Sequence, residues 1–420
     1  GRRPDRAELK AGAEVVTEKQ DPGVHGLRLA GRRVADAGRS KDARFCHGSP
    51  ARKRNSKAVY NHSMKPAAPP KGRGAVISPD GRFDAWRREA AEDGWWRDED
   101  EAPVTELIVD SAKSVITYNT SPDIPYDRSI NPYRGCEHGC AYCFARPSHA
   151  YLGLSPGLDF ETKIAWKADA AVCLRRELAR PSYVCRPVAL GINTDAWQPV
   201  ERRLRVSRDI LEVLAETRHP VTIVTKSALI LRDLDLLAEM ARDGLAHVAV
   251  SITTLDAGLA RAMEPRAPSP LRRLAVVAAL AEAGIPTAVM VAPLIPALTD
   301  HELEAILEAG HDAGATSAGY ILLRLPHEVK PLFRAWLDAN QPGRAEHVYS
   351  LMRQMHGGKE YDSAFGNRQR GSGPLAEIIA RRFGNALRRL GLDKPSLPMN
   401  VTAFRPPQPH LPPAPQMSLF

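Results

Sequence analysis

The sequence predicts an α/β protein, namely a partial (β/α)6 TIM-like barrel with C-terminal helices and disordered termini. From about residue 105, short apolar runs rich in β-branched residues alternate with helical patterns, which is the βαβ rhythm of a parallel sheet. Six such runs suit a partial barrel better than an open doubly wound sheet, although periodicity alone leaves both arrangements open. In either arrangement a functional site lies at the carboxyl ends of the strands.

The apolar runs predict strands near residues 129–135, 187–193, 220–226, 247–253, 286–294 and 317–324. Several intervening helices have recognisable ends. The pattern over 274–283 ends at Gly284, a residue typical of helix termination. Thr299, followed three residues later by Glu302, is typical of a capping box at a helix start. A basic amphipathic helix is predicted over 376–392.

Composition divides the chain into a basic extension (1–63), an irregular N-terminal segment (64–104), the barrel (105–345), a helical region (346–393) and a proline-rich tail (394–420). The extension has 15 Lys and Arg against 7 Asp and Glu, so it carries +8 of the net charge of +9. Because the first methionine is Met64, we interpret the extension as an over-extended reading frame. The alternative is a disordered basic arm that binds nucleic acid.

The composition also bears on location. No segment approaches the long uncharged apolar stretch of a transmembrane helix, and the N-terminus lacks the apolar core of a signal peptide. The six cysteines form no obvious disulfide framework, which favours a reducing compartment. We therefore expect a cytoplasmic protein without a membrane partner.

Three closely spaced cysteines, Cys136, Cys140 and Cys143, form the most informative motif of the chain. Soft thiolates select zinc or iron–sulfur clusters. Structural zinc sites and conventional four-iron clusters take four ligands, and no fourth cysteine lies nearby. Three thiolates leave one metal open for a substrate or cofactor, which indicates chemistry. The alternative is a zinc site completed by His138 or by a distant residue.

The cysteine spacing, with Tyr142 just before the last cysteine, resembles the signature of the radical S-adenosylmethionine (SAM) superfamily. The resemblance implies a 4Fe–4S cluster held by Cys136, Cys140 and Cys143, with SAM chelating the fourth iron. It also implies an electron donor as a partner. The chemistry that it implies is cleavage of SAM to methionine and a 5′-deoxyadenosyl radical, which abstracts hydrogen from a C–H bond.

Polar residues at the predicted strand ends suit such a cofactor. SAM is zwitterionic, and Asp195 and Lys226 are candidates to bind its ammonium and carboxylate groups. Tyr142 or Ile295 would offer an apolar wall for adenine. A further candidate, Arg266, belongs to an expected ion-pair network of Glu264, Arg266, Arg272 and Arg273, for which a solvated helix face is the alternative.

A more specific resemblance covers residues from about 70 to 393. It is carried by the segments Ser129–His149, Gly191–Asp195, Thr225–Ser227 and Met263–Pro268. These segments resemble an uncharacterised radical SAM family related to spore photoproduct lyase. In the lyase relatives a Thr/Ser-Asp pair, a lysine and a serine bind SAM, and they correspond to Thr194, Asp195, Lys226 and Ser251 here. Taken singly, Thr194 and Ser251 also fit a simpler role as turn caps.

One departure from the lyase pattern concerns the hydrogen donor. The lyase uses a cysteine near the end of its second strand, where this chain has Asn193. Cys185 lies upstream as a substitute, although a small buried side chain is the simpler interpretation. We therefore do not expect reversal of thymine dimers by the lyase mechanism.

The C-terminal pentapeptide Gln416–Phe420, after eight prolines in 27 residues, is a separate signal. It resembles the peptide by which bacterial repair and replication proteins bind the DNA sliding clamp. Its glutamine offers an amide for orienting hydrogen bonds, and Met417, Leu419 and Phe420 are anchors for an apolar groove. A chance match is the alternative, because the motif is short.

The lyase resemblance and the clamp peptide together favour DNA as the substrate, in the form of a damaged base. The body of the chain from residue 64 carries a net charge of only +1, which argues against tight binding to duplex DNA without a tether. Two alternatives stay open. One is radical modification of RNA, protein or a metabolite, and the other is a non-catalytic zinc or iron–sulfur scaffold protein.

Overall fold

The computed structural model describes residues 72–84, 103–394 and 398–408. All of them belong to one compact unit, Ser63–Phe420. The basic extension and the pentapeptide Gln416–Phe420 lie outside the described residues. Predictions about those two segments therefore remain predictions.

Ten strands form two sheets in the described part of the chain. They are β1 (Glu106–Val109), β2 (Ile116–Tyr118), β3 (Arg128–Ile130), β4 (Tyr133–Arg134), β5 (Lys163–Trp166), β6 (Val188–Leu190), β7 (Val221–Thr225), β8 (Ala246–Ser251), β9 (Thr287–Leu294) and β10 (Ser317–Leu322). The large sheet has the order β10-β9-β8-β7-β6-β3-β2, and the small sheet has the order β1-β5-β4.

Twelve α-helices connect or flank the described strands. They are α1 (Asp159–Thr162), α2 (Ala170–Leu178), α3 (Glu201–Leu204), α4 (Val206–Glu216), α5 (Leu234–Arg242), α6 (Ala257–Met263), α7 (Pro270–Glu282), α8 (Leu303–Asp312), α9 (Val329–Asn340), α10 (Ala345–Met355), α11 (Asn367–Arg370) and α12 (Pro374–Leu390). Short 3-10 helices cover Arg146–Leu152, Ala228–Asp233 and Asp300–Glu302.

The predicted fold class is confirmed. Neighbouring strands from β3 through β6 to β10 are parallel, which gives the six expected strands, and β2 adds an antiparallel edge. Within the described residues, β10 and β2 are the two unpaired edges of the large sheet, so the sheet does not close into a full barrel. Helices follow the strands, as the βαβ rhythm predicts.

The first predicted strand, 129–135, is split between the two sheets. β3 stays in the large sheet, whereas β4 pairs antiparallel with β5 in the small one. Pro132 lies between them and lacks the N–H group that a continuous ladder requires, so it interrupts the pairing. The split turns the chain out of the large sheet just before the cysteines.

Two of the helix predictions are confirmed and one is wrong. α12 matches the basic amphipathic helix, and α7 is followed by Gly284 in a left-handed conformation, with φ of 73°. The capping box is wrong. The Thr299 hydroxyl accepts a hydrogen bond from the backbone of Ile295, and Glu302 instead accepts hydrogen bonds from the segment after β8. Glu302 is therefore used in a tertiary contact that the local pattern cannot reveal.

Part of the proline-rich tail is docked on the domain. The N–H of Asn400 donates to the Gly244 carbonyl at 2.9 Å, and that of Arg405 donates to the Thr217 carbonyl at 2.8 Å. The ring of Phe404 packs against His219, with the centroids 5.5 Å apart. Residues 398–408 of the tail therefore pack on the folded domain, at the amino ends of β7 and β8.

In the described ranges, no helix is both long and apolar enough to cross a membrane.

Candidate cofactor site at the cysteine loop

The three cysteines lie on the loop after β4, beyond the carboxyl end of β3. Cys136 and Cys140 are buried, Cys143 is half-buried, and all three are free thiols. The N–H of Cys136 donates a hydrogen bond to the Phe160 carbonyl in α1 at 2.9 Å. The sequence therefore places the cysteines correctly at the carboxyl ends of the strands, although the short strand β4 lies between β3 and the cysteines.

The guanidinium of Arg146 organises this loop from its buried side. Its Nε and Nη2 atoms donate to the Cys140 carbonyl at 3.0 and 2.9 Å, and Nη2 also donates to the Gly139 carbonyl at 3.3 Å. Its Nη1 atom donates to the carbonyls of Pro156 and Gly157 at 3.1 and 2.9 Å. Since a buried guanidinium is costly unless its donors are satisfied, these bonds favour one loop conformation.

Glu161 balances the charge of Arg146, and both side chains are fully buried. Its carboxylate also accepts hydrogen bonds from the N–H groups of Gly74 and Ala75 at 3.0 and 2.9 Å. The Arg73 guanidinium donates to the Glu161 carbonyl at 2.8 Å. The irregular segment before the barrel is thus bound directly to the cysteine loop.

Two glycines allow this close approach. A Cβ atom at Gly74 would lie 1.9 Å from the carbonyl oxygen of Gly139. Gly139 itself has φ of 67°, and a Cβ atom there would lie 2.8 Å from Glu161 Oε2. Neither position accommodates a side chain without moving backbone or buried charge.

Glu137 connects the loop to three other elements. Its N–H donates to the amide oxygen of Gln198 at 2.8 Å. Its carboxylate accepts hydrogen bonds from Thr105 Oγ1 at 2.5 Å and from Arg266 Nη1 at 3.1 Å. Arg266 is therefore engaged with the loop itself. The predicted four-residue network is confirmed only for Glu264 and Arg273, which form an ion pair, because Arg266 pairs with Glu137 and Arg272 is exposed.

The electrostatic environment of the thiols bears on whether an iron–sulfur cluster fits. Burial raises the pKa of Cys136 well above its usual value, and Asp195, Cys140 and Cys143 raise it further. Burial also raises the pKa of Cys140 to about 12. Such thiols stay protonated near neutral pH unless a metal cation stabilises the thiolates. Three soft donors on one loop, two of them shielded from water, fit an iron–sulfur cluster.

A site for a single metal ion would look different. Among residues 72–84, 103–394 and 398–408, no three His, Cys, Asp or Glu side chains are arranged to hold one metal ion. In a four-iron cluster each cysteine binds a different iron, so the thiol sulfurs do not converge on one point. The cysteine loop is compatible with a four-iron cluster, in which each thiolate binds a different iron.

Asp195 lies where predicted, after β6, and orders the neighbouring strand ends. Its carboxylate accepts hydrogen bonds from Thr225 Oγ1 at 2.8 and 3.0 Å and from the N–H of Lys226 at 2.8 Å. It also accepts from the N–H of Trp197 at 2.9 Å, and His138 Nδ1 lies 3.5 Å away. Binding of the SAM ammonium group by Asp195 stays a prediction.

Lys226 follows β7 and lies near the cysteine loop, with its Nζ atom 5.8 Å from the ring centroid of Tyr142. The Tyr142 hydroxyl donates to Glu264, which also forms a buried ion pair with Arg273. Burial alone would raise the pKa of Glu264, but Arg273 and Lys226 lower it to about 2. The positive field of Lys226 also opposes the rise in the pKa of Cys140.

The other predicted SAM contacts are also buried. The Thr194 hydroxyl donates to the Tyr133 carbonyl at 2.7 Å, so its proton is used inside the protein. Ser251 is buried at the end of β8. Ile295 follows β9 and is fully buried, and its N–H donates to Thr299 at 3.0 Å. Their roles in binding SAM stay predictions.

Cys185 does not suit the role of hydrogen donor. It precedes β6, so it lies at the amino end of that strand, whereas the cysteine loop lies at the carboxyl ends. Asn193 is on the correct side, and its N–H donates to the side chain of Asn131 at 2.9 Å. The substitution of Cys185 for the lyase cysteine is therefore wrong, because the direction of the strand separates it from the site.

A cleft of about 230 Å³ opens beside the loop and is lined by His138, Trp197, Arg202, Ser227 and Arg266, among others. His138 is buried, and its burial lowers the pKa of its imidazole. His138 is therefore a neutral imidazole whose Nδ1 atom lies 3.5 Å from Asp195. The cleft therefore adjoins the cysteine loop at His138.

Sequence reasoning missed the residues that position the loop, namely Arg73, Gly74, Glu137, Arg146, Glu161 and Gln198. Arg146 lies within a segment that carries the family resemblance, but the pattern assigns it no role. Glu161 is 15 residues further along the chain, and Gly74 is 87 residues before Glu161. No local periodicity connects residues at such separations.

We predict that Gly74→Ala disrupts the site, because the new methyl group would overlap the Gly139 carbonyl. We expect a loss of at least about 2 kcal/mol in the free energy of unfolding. Bound iron after anaerobic reconstitution should fall below about half of that of the unchanged protein. Chemical denaturation and iron analysis measure the two effects.

The matched control is Gly343→Ala, because nothing lies within 4 Å of a Cβ atom at that loop position. It should keep its iron and its stability. Equal stability and iron content in the two variants would contradict the role that we assign to the contact between Gly74 and Gly139.

Comparisons with known proteins identify relatives of this chain. An uncharacterised protein of Mycobacterium tuberculosis is 41% identical over 233 residues, which cover 55% of this chain and 68% of the relative. An uncharacterised protein of Methanocaldococcus jannaschii is 28% identical over 197 residues, covering 47% of this chain and 71% of that protein.

Among solved structures, spore photoproduct lyase complexed with dinucleoside spore photoproduct is similar with a TM-score of 0.50. The match covers 68% of this chain and 79% of the lyase, at 15% identity, and therefore concerns the fold alone. The family model of the Radical SAM superfamily matches residues 130–310, which include all three loop cysteines. The chain is therefore an enzyme of the radical SAM superfamily, whose cofactors are a 4Fe–4S cluster and S-adenosylmethionine.

Proposed function

We propose that this enzyme uses its cysteine loop and strand ends to hold a 4Fe–4S cluster and SAM, and that it acts on a damaged base in DNA. The observation that carries the proposal is the position of three free cysteines, two buried and one half-buried, near Asp195 and Lys226. When bound, the two cofactors supply a 5′-deoxyadenosyl radical for abstraction of hydrogen from the substrate.

In this proposal the protein positions the cofactors and excludes water. Cys136, Cys140 and Cys143 hold three irons of the cluster, and the paired charges of Arg146 and Glu161 keep the loop in place. A loop fixed in advance lowers the entropic cost of bringing the reacting groups together. Burial of Cys136 and Cys140 would also limit the access of water to the bound cofactors.

The strand ends provide complementary charges for SAM. Lys226 offers a cation to the carboxylate of SAM, and Asp195 offers an acceptor to its ammonium group. Thr194 and Ser251 flank them from β6 and β8, and Tyr142 offers an aromatic face. These roles rest on the placement of the side chains and on the resemblance to the lyase relatives.

Two considerations favour DNA as the substrate. The fold is similar to that of spore photoproduct lyase, whose solved structure contains a dinucleoside photoproduct. The C-terminal pentapeptide resembles a sliding-clamp peptide, and a tether of that kind would compensate for the nearly neutral charge of the body. Because the cluster is sensitive to oxygen, we also place the enzyme in the reducing cytoplasm.

We predict that anaerobically reconstituted, dithionite-reduced protein forms 5′-deoxyadenosine from SAM, and that ultraviolet-irradiated single-stranded DNA increases the rate. Cys140→Ala should form less than about a tenth of the product, because one iron loses its ligand. Chromatography of the deoxyadenosine and mass analysis of the oligonucleotide measure the two parts.

The matched control is Cys185→Ala, since Cys185 is a free cysteine at the amino end of β6, away from the cysteine loop. Undiminished deoxyadenosine formation by Cys140→Ala would contradict the assignment of the cluster. An irradiated oligonucleotide that neither raises the rate nor changes in mass would contradict the DNA substrate and would favour RNA, protein or a metabolite. One tight zinc per chain, without iron, would favour a scaffold protein.

We further propose that Gln416–Phe420 binds the bacterial DNA sliding clamp. A pull-down with purified clamp should recover the full chain, whereas a variant ending at residue 415 should be recovered at less than about a fifth of that level, because the anchors Met417, Leu419 and Phe420 are lost. A variant in which Leu411 alone is changed to alanine is the control. Equal recovery of all three proteins would contradict the proposal that Gln416–Phe420 binds the clamp.

A further inference from the structure

Aromatic and arginine side chains form two neighbouring groups, one of which directly follows the cysteine loop. We call the side chains of Arg82, Phe83, Phe144, Tyr151 and Arg324 the arginine–aromatic ridge. None of them was selected as a site residue from the sequence. Three structural features connect the ridge to the radical site and to a ligand.

The outer part of the ridge is an exposed aromatic pair under one guanidinium. The rings of Phe83 and Tyr151 are 58% and 67% exposed, and their centroids lie 5.0 Å apart. The Arg82 guanidinium carbon lies 4.8 Å from the first centroid and 5.1 Å from the second. Large apolar rings held together at the surface are unusual unless they bind something.

The inner part of the ridge adjoins the cluster loop. Phe144 directly follows Cys143 in the chain, and its ring is 38% exposed. The Arg324 guanidinium carbon lies 4.5 Å from its centroid. Arg324 follows β10, so it lies at the same strand-end edge as the cysteines. Glu328, four residues after Arg324 in the chain, forms an ion pair of 3.3 Å with Arg82, so the outer part of the ridge is bound to the segment that follows Arg324.

Arg324 is the feature that points to an anion. Its Nε atom is buried and has no hydrogen-bond partner among the described residues. The buried guanidiniums of Arg146 and Arg273, in contrast, are each paired with a carboxylate and with carbonyls. Leaving a buried donor unpaired is costly, and a phosphate oxygen is a strong acceptor for a guanidinium.

We propose that the arginine–aromatic ridge binds single-stranded DNA and leads it to the radical site, with a phosphate on Arg324 and bases stacked on Phe144, Phe83 and Tyr151. The proposal rests on the proposed function, and it names how that site receives its substrate. Exposed rings stack on unpaired bases, whose faces are accessible only outside a duplex. Guanidiniums lying over these rings add charge that matches the phosphate backbone.

The test is fluorescence anisotropy with a labelled oligothymidylate, on full-length reconstituted protein without oxygen. We expect the double variant Phe83→Ala/Tyr151→Ala to raise Kd at least about tenfold, since each stacked base contributes about 1–3 kcal/mol. Arg324→Gln should raise Kd about fivefold. It should also lower the salt dependence of log Kd by about 0.7, which corresponds to one lost phosphate contact in a single strand.

The matched control is Tyr118→Ala. Tyr118 is 62% exposed and lies under the Arg128 guanidinium, 5.4 Å from its carbon. It pairs with the first residue of β3, so it lies at the amino ends of the parallel strands, away from the cysteine loop. Its Kd should stay within about twofold of the unchanged protein, because no base stacks on it.

Three outcomes would overturn the proposal. The first is an equal Kd for the unchanged protein and the ridge variants, and the second is an equal loss in Tyr118→Ala. The third is tighter binding of polyglutamate or oligouridylate than of oligothymidylate, which would assign the ridge to an acidic peptide or to RNA. Deoxyadenosine formation by the same preparation, measured without DNA, reports separately on the proposed function.

Discussion

The buried ion pair between Arg146 and Glu161 is the constraint on which the site depends. It binds the carbonyls of the cysteine loop on one side and the backbone of Gly74 and Ala75 on the other. Removal of one member of such a pair typically costs about 3–5 kcal/mol, because the other charge is left buried and unpaired. The pair thus makes the position of Cys140 a consequence of the packing of three separate segments.

The fold and the site differ in how far the sequence predicts them. The parallel strands follow from apolar runs, and α12 follows from its amphipathic pattern, because both signals are local. Pro132 splits the first strand, which the apolar run alone does not reveal. The partner of Glu302 and the docking of Phe404 depend on contacts between distant segments, so the local patterns there mislead.

The same distinction applies to the site residues. Cys136, Cys140 and Cys143 are recognisable by spacing, and Asp195 and Lys226 by their place after strands. Sequence spacing alone does not identify the pair Arg146 and Glu161, or Arg324 with its buried Nε atom that lacks a hydrogen-bond partner, because these features depend on neighbours in space. Such ion pairs and surface groups can be identified only from the folded structure, because their members are distant in the sequence.

The most direct test of the account is iron analysis combined with electron paramagnetic resonance of the reduced protein, with and without SAM. The account predicts about four irons per chain. It also predicts a cluster spectrum that SAM changes, since three cysteines leave one iron open to the cofactor. A single tightly bound zinc, or a cluster spectrum indifferent to SAM, would contradict the central claim that the cysteine loop builds an open iron–sulfur site.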